Sequence, residues 1–109
     1  MISHPLDTNY YIKMTRNIEY RRDVDFEDLE QCLHKASYYE KIYIDLSDIN
    51  FVNSVLLDSL ITFCKRYNIE FRDVHLINVP ETVLKILFSV NLNEVFTIHY
   101  TYHEHELVA

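Results

Sequence analysis

Apolar positions recur along this chain with the period of a strand in some stretches and of a helix in others, and the switches between the two lay out its elements. Residues 9–16, NYYIKMTR, are rich in aromatic and β-favouring side chains and read as a strand, with a second short candidate in NIEYRR around Ile18 and Tyr20. The period then changes. In DFEDLEQCLHKA, Phe26, Leu29, Cys32, Leu33 and Ala36 share one face of a helix, Asp25 is placed to cap it, and Glu27 and Asp28 suit its N-terminal dipole. KIYIDL sets Ile42, Ile44 and Leu46 against Tyr43 and Asp45; its second face is not very polar, which suits an interior strand. A second helix follows Ser54, with Leu57, Leu60, Ile61 and Cys64 as its core stripe and Lys65-Arg66 near its end. DVHLINV is the next strand. Pro80 opens a third helix at the position where a missing N–H costs nothing, and Val83, Leu84, Leu87 and Val90 face inward from it. Asn91 ends it in the left-handed conformation, EVFTIHY is a last strand, and residues 101–109 form a polar tail.

Strands alternating with helical patterns indicate an α/β fold with a mixed β-sheet of about four to five strands, covered by about three to four helices. No repeat, linker or low-complexity tract interrupts the 109 residues, so they read as a single domain with a core over 10–98.

Composition narrows the chemistry. The chain has no glycine at all, against about 7% in average usage. Phosphate-cradling loops, the dinucleotide fingerprint, the nucleophile elbow and the EF-hand calcium loop each need glycine where the backbone turns sharply or meets a ligand, so none is present in standard form. This argues against an enzyme and gives no reason to expect a cofactor. Acidic residues outnumber basic ones 17 to 10, for a formal charge of −7, which disfavours nucleic acid and anionic lipid as partners. No stretch resembles a membrane span, the N-terminus lacks the basic and apolar regions of a secretory leader, and cytoplasmic is the expected location. Cys32 and Cys64 fall on apolar helix stripes and read as reduced core thiols. The tail gathers His99, His103 and His105 with Glu104 and Glu106, a metal-binding composition without a fixed frame, and no metal is expected there. Tyr10-Tyr11 and Tyr38-Tyr39 read as core and edge packing. Asp45 and Asp48 could act as acid and base, but with no companion His nearby, loop and turn roles are the expectation.

Three segments resemble one known family. VDFEDLEQCL is similar to the opening of the first helix of a STAS domain, the fold shared by bacterial anti-sigma factor antagonists and the cytoplasmic tails of sulfate transporters. IDLSDINFVNSVLLDSL resembles that family's strand followed by its Asp-Ser-Ser/Thr-Gly phosphorylation motif. NVPETVLKILFSVNLNEVF resembles its third helix and last strand, with Asn91 in place of the customary Gly. On this alignment Ser54 falls on the phosphorylated hydroxyl, Asn53 stands for the Asp, Val55 for the second Ser or Thr, and Leu56 for the Gly. Asn53 keeps the shape of Asp without its charge, so it should slow phosphorylation if the carboxylate helps a kinase to orient the serine.

From composition and spacing, Ser54 is first of all a helix cap, whose oxygen accepts a first-turn N–H for about 1 kcal/mol. The resemblance adds a second role, as a phosphate acceptor. The implied protein is a non-enzymatic partner-switching signalling module: unphosphorylated, it binds a serine kinase/anti-sigma factor; phosphorylation of Ser54 releases it; a serine phosphatase restores it. Asn53, Ser54, Val55, Leu56 and Asp58 would form the partner-binding surface, with Leu56 either exposed beside Ser54 or packed inward on Leu60 and Phe63. The alternatives are a structural subunit of an ABC phospholipid-transport complex and a degenerate, unphosphorylated scaffold; a homodimer is left open.

Overall fold

The computed structural model describes residues 2–14, 23–49 and 54–99, and of residues 23–26, 54 and 55 the backbone alone. Five strands, β1 (Ile2–Leu6), β2 (Asn9–Lys13), β3 (Ile42–Asp45), β4 (Val74–Ile77) and β5 (Thr97–Ile98), form one mixed sheet in that order. The helices α1 (Asp23–Ala36), α2 (Ser54–Arg66) and α3 (Glu81–Ser89) lie in the successive connections from β2 onward. β1 and β2 make an antiparallel hairpin, and every later pair is parallel.

The strand order decides where the helices go. Each crossover advances by one strand in the same direction, and right-handed crossovers then deliver all three helices to the same face. The side chains agree: Tyr10, Ile12, Met14, Ile42, Ile44, Val74, Leu76 and Ile98 alternate onto the helix side and are buried. They meet Leu29, Cys32, Leu33 and Ala36 of α1, Leu56, Leu57, Leu60, Phe63 and Cys64 of α2, and Val83 and Leu87 of α3 in one hydrophobic core. The intervening residues Tyr11, Lys13, Tyr43, His75, Ile77, Thr97 and His99 face the other way and are half-buried.

Several expectations are corrected. β1 was not legible: its side chains are nearly all exposed, so it carries no alternation, and pairing with β2 alone makes it a strand. The NIEYRR candidate lies outside the described residues. α1 starts at Asp23, so Asp25 lies within its first turn and is not the residue that precedes it. Pro80 precedes α3 as its cap, extended at ψ 150°, and its carbonyl accepts the Leu84 N–H at 2.8 Å. Val90 is 50% exposed, because α3 stops at Ser89 and the chain leaves the helical path before the stripe returns. Asn91 is left-handed at φ 62°, as expected, but the Leu92–Glu94 stretch then makes a 3-10 turn, leaving only Thr97–Ile98 as strand.

Without glycine, Asp7, Asn68, Asn78 and Asn91 take the positive-φ positions among the described residues. Short polar side chains that bond their own backbone tolerate this conformation best after glycine. Cys32 and Cys64 are free and buried, and burial pushes both thiols up, which keeps them protonated and unreactive. Across the α1–α2 contact, Glu30 accepts from Arg66 and from the Tyr67 hydroxyl, while His34 stacks on Tyr67 with ring centroids 4.8 Å apart. Arg66 is half exposed, so solvent screens its ion pair and the pair adds little to stability.

Candidate functional site

Parallel pairing brings the carboxyl ends of three strands to one edge, with Lys13, Asp45 and Ile77 in register. The segment that leads from β3 to Ser54 departs from this edge, and Asp45 fixes its start. Asp45 is 6% exposed. It accepts the Tyr11 hydroxyl at 2.6 Å, the Ser47 N–H at 2.9 Å and the Asn78 amide at 3.2 Å. The Ser47 bond, two residues on, is the turn role expected of Asp45; the bonds to Tyr11 and Asn78 tie in β2 and the end of β4. Burial by itself would push the Asp45 carboxyl up, but these donors outweigh it and hold the group below the usual carboxylate range. Tyr11 is pushed up by burial and by Asp45, so it stays protonated and keeps donating.

Backbone bonds continue the anchorage. Met14 N–H donates to the Asp45 carbonyl and Leu46 N–H to the Ile77 carbonyl, each at 3.1 Å, and Leu46 and Ile49 are buried beneath. Asp48 does not join Asp45 as an acid–base pair; its carboxylate lies 3.7 Å from the Lys13 ammonium.

α2 then begins at Ser54, with no acidic residue in its first turn to offset the partial positive charge there. Asn53 and the Ser54 and Val55 side chains lie outside the described residues. Leu56 is 3% exposed and packs with Met14, Leu29, Ile44 and Leu60. Of its two readings the inward one holds, and it offers no apolar surface to a partner, because the helical phase that buries Leu60 and Phe63 carries Leu56 inward with them. Asp58 is exposed one turn along. In the tail composition, His99 is half-buried against His75, while residues 103–106 lie outside the described residues; among those described, no three His, Cys, Asp or Glu side chains could hold a metal ion. No helix among the described residues is long and apolar enough to cross a membrane.

Asp45 gives a direct test. Asp45→Asn keeps the shape but removes the charge from three hydrogen bonds, and is expected to cost about 2 kcal/mol at neutral pH. Because its folded carboxyl is held low, this stability is present above the ordinary carboxylate range and is lost as pH falls through the folded value. Urea denaturation at about pH 7 and about pH 3 should show the gap between wild type and variant narrowing in acid. A gap of equal size at both would refute the charged role.

A family model described as the STAS domain matches residues 13–105. Among solved structures, the NMR structure of the protein TM1081 has a TM-score of 0.69 at 20% identity, covering 94% of this chain and 82% of that one. The crystal structure of a proposed anti-sigma factor antagonist, tm1081 of Thermotoga maritima, gives a TM-score of 0.68 at 18% identity, covering 96% of this chain and 90% of that one. At such identities the likeness speaks for the fold. No curated protein matches the sequence. The family match runs from the end of β2 to beyond β5, most of the chain, and the chain therefore belongs to the STAS domain family.

Proposed function

We propose that this protein is a non-enzymatic partner-switching module of the anti-sigma factor antagonist kind, acting in the cytoplasm, whose binding to a serine kinase/anti-sigma factor is controlled by phosphorylation of Ser54. The observation that carries the reading is the position of Ser54 as the first residue of α2, downstream of the strand end anchored by Asp45, in a chain of the STAS family. A phosphate there brings a charge of about −1.5 to −2. The free N–H groups and dipole of a helix start tolerate such an anion, so the fold need not change. A partner docked over the same place would have to desolvate the phosphate and set its acidic groups against it. Charge at Ser54 would then govern association while the core stays as it is.

With Leu56 in the core, Asn53, Ser54, Val55 and the exposed Asp58 remain as the partner-facing positions of this reading. A serine phosphatase would reset the switch.

Intact mass spectrometry of the protein purified from its native host tests the proposal. The expected result is a mass increase of one phosphoryl group, mapped to Ser54 by fragmentation. Unmodified protein under every growth condition tried would overturn it and favour the subunit or scaffold alternatives.

A further inference from the structure

Two imidazoles meet on the outer face of the sheet, where β5 ends. His75 Nδ1 and His99 Nε2 are 2.9 Å apart, with ring centroids 5.2 Å apart and planes inclined by 25°. The centroid separation is nearly as large as that contact allows, so the two nitrogens point at each other along the line joining the rings. Such an arrangement suits one N–H donating to one lone pair. It does not suit chelation, in which both lone pairs converge on a third point.

Among the described residues, β5 is tied down ahead of His99: Thr97 Oγ1 donates to the Arg72 carbonyl at 2.9 Å, and Phe96 packs edge-on against Phe71. β5 pairs with β4 through Thr97 opposite His75 and Ile98 opposite Leu76, and the His99 N–H donates to the Leu76 carbonyl at 3.1 Å. Ile98 and Phe96 are buried, whereas His99 is held, among the described residues, by that backbone bond and by its ring. Residues 100–109 follow directly.

We propose that the His75–His99 pair is a proton-operated latch, which holds the end of β5 while the two rings carry at most one proton between them and releases it when both are charged. With no added proton, one ring donates to the other. With one, an imidazolium donates to a neutral ring and the bond becomes charge-assisted. With two, an N–H faces an N–H at hydrogen-bond distance and two positive charges share a half-buried place. The surrounding groups set where this happens. Tyr43 of β3 lies against His75 with ring centroids 5.0 Å apart, Lys41 just before β3 adds positive charge, and Asp73 just before β4 opposes it. Burial, then His99 and Lys41, hold His75 below the ordinary histidine value despite Asp73, and burial does the same for His99. Both groups being depressed, their contribution is complete above the ordinary histidine value and is lost as pH falls through the folded values.

NMR on the full chain tests this. The two rings are expected to titrate in separate steps, the lower one below the ordinary histidine range. The His99 amide should exchange at least about tenfold faster, relative to its intrinsic rate, at about pH 5 than at about pH 7, while the Ile44 amide shows no such change. His75→Asn and His99→Gln place a non-titrating amide where each facing nitrogen stood, and either substitution should abolish the acid response. Persistence of the response in both variants, or two rings titrating together at the ordinary value, would overturn the latch. Equimolar zinc chloride should leave both rings' resonances in place; a joint shift would overturn it in favour of chelation.

Discussion

Under the proposed partner switch, Ser54→Asp is expected to weaken capture of a kinase partner by at least about a hundredfold, or roughly 2.7 kcal/mol, while Ser54→Ala keeps most of it. The reasoning separates fold from interface. α2 has no acidic residue in its first turn, so a carboxylate at its first residue meets an unopposed dipole and is stabilising or neutral there. The variant should therefore fold, with a urea midpoint within experimental error of wild type or slightly above it. A partner seated over the same position must bury or oppose that charge, and truncating or opposing charges at an interface costs several kcal/mol. The measurement is titration calorimetry with the kinase co-purified from the native host. Equal affinity for Ser54→Asp and wild type would end the switch reading and leave the domain as a scaffold or transport subunit. The alanine control matters because it removes the hydroxyl without adding charge. If alanine also abolished capture, the hydroxyl itself would be the contact.

The second large effect concerns stability. Leu56→Ala should cost about 3 kcal/mol, within the range of roughly 2–5 kcal/mol for emptying a buried leucine site. Leu56 is 3% exposed and lines a small apolar void with Met14, Leu29, Ile44, Leu46, Leu57 and others, so the lost side chain enlarges a gap that already exists. That cost would appear in urea or thermal unfolding, and affinity of the folded protein for its partner should be unchanged. An effect on affinity with little loss of stability would show that Leu56 faces the partner after all. Leu56, two residues after Ser54, stands where the resemblance to the family motif would put glycine, and it is a core leucine.

How much of this was legible beforehand depended on how local each signal is. β3 and α2 were readable because their periodicity is strong and their environments uniform: Ile42 and Ile44 alternate inward, and Leu57, Leu60 and Cys64 fall on one helical face. The left-handed Asn91 was readable because so few residue types accept that conformation. β1 was not, since an edge strand with exposed side chains leaves no pattern. The role of Asp45 was only half readable. Its turn bond to Ser47 is local, but Tyr11 and Asn78 lie 34 and 33 positions away, and no spacing rule brings them together. The His75–His99 contact is of the same kind, made by the register of two parallel strands. Ser54 marks a different boundary: its place at the start of α2 follows from the change of period, whereas a modification depends on a second protein that the chain does not encode.

The β1–β2 hairpin has a consequence for assembly. Tyr10 donates its N–H to Lys41 next to β3, so its partner Pro5, across the hairpin, turns its backbone toward open solvent. Proline has no N–H to offer a visiting strand, and a residue of this kind at the rim of a sheet blocks the growth of one sheet into another. At the opposite rim, β5 offers two residues among those described, few to template an addition. Among the described residues both margins are thus poor seeds for fibrils, and strand-to-strand joining of two copies is disfavoured there.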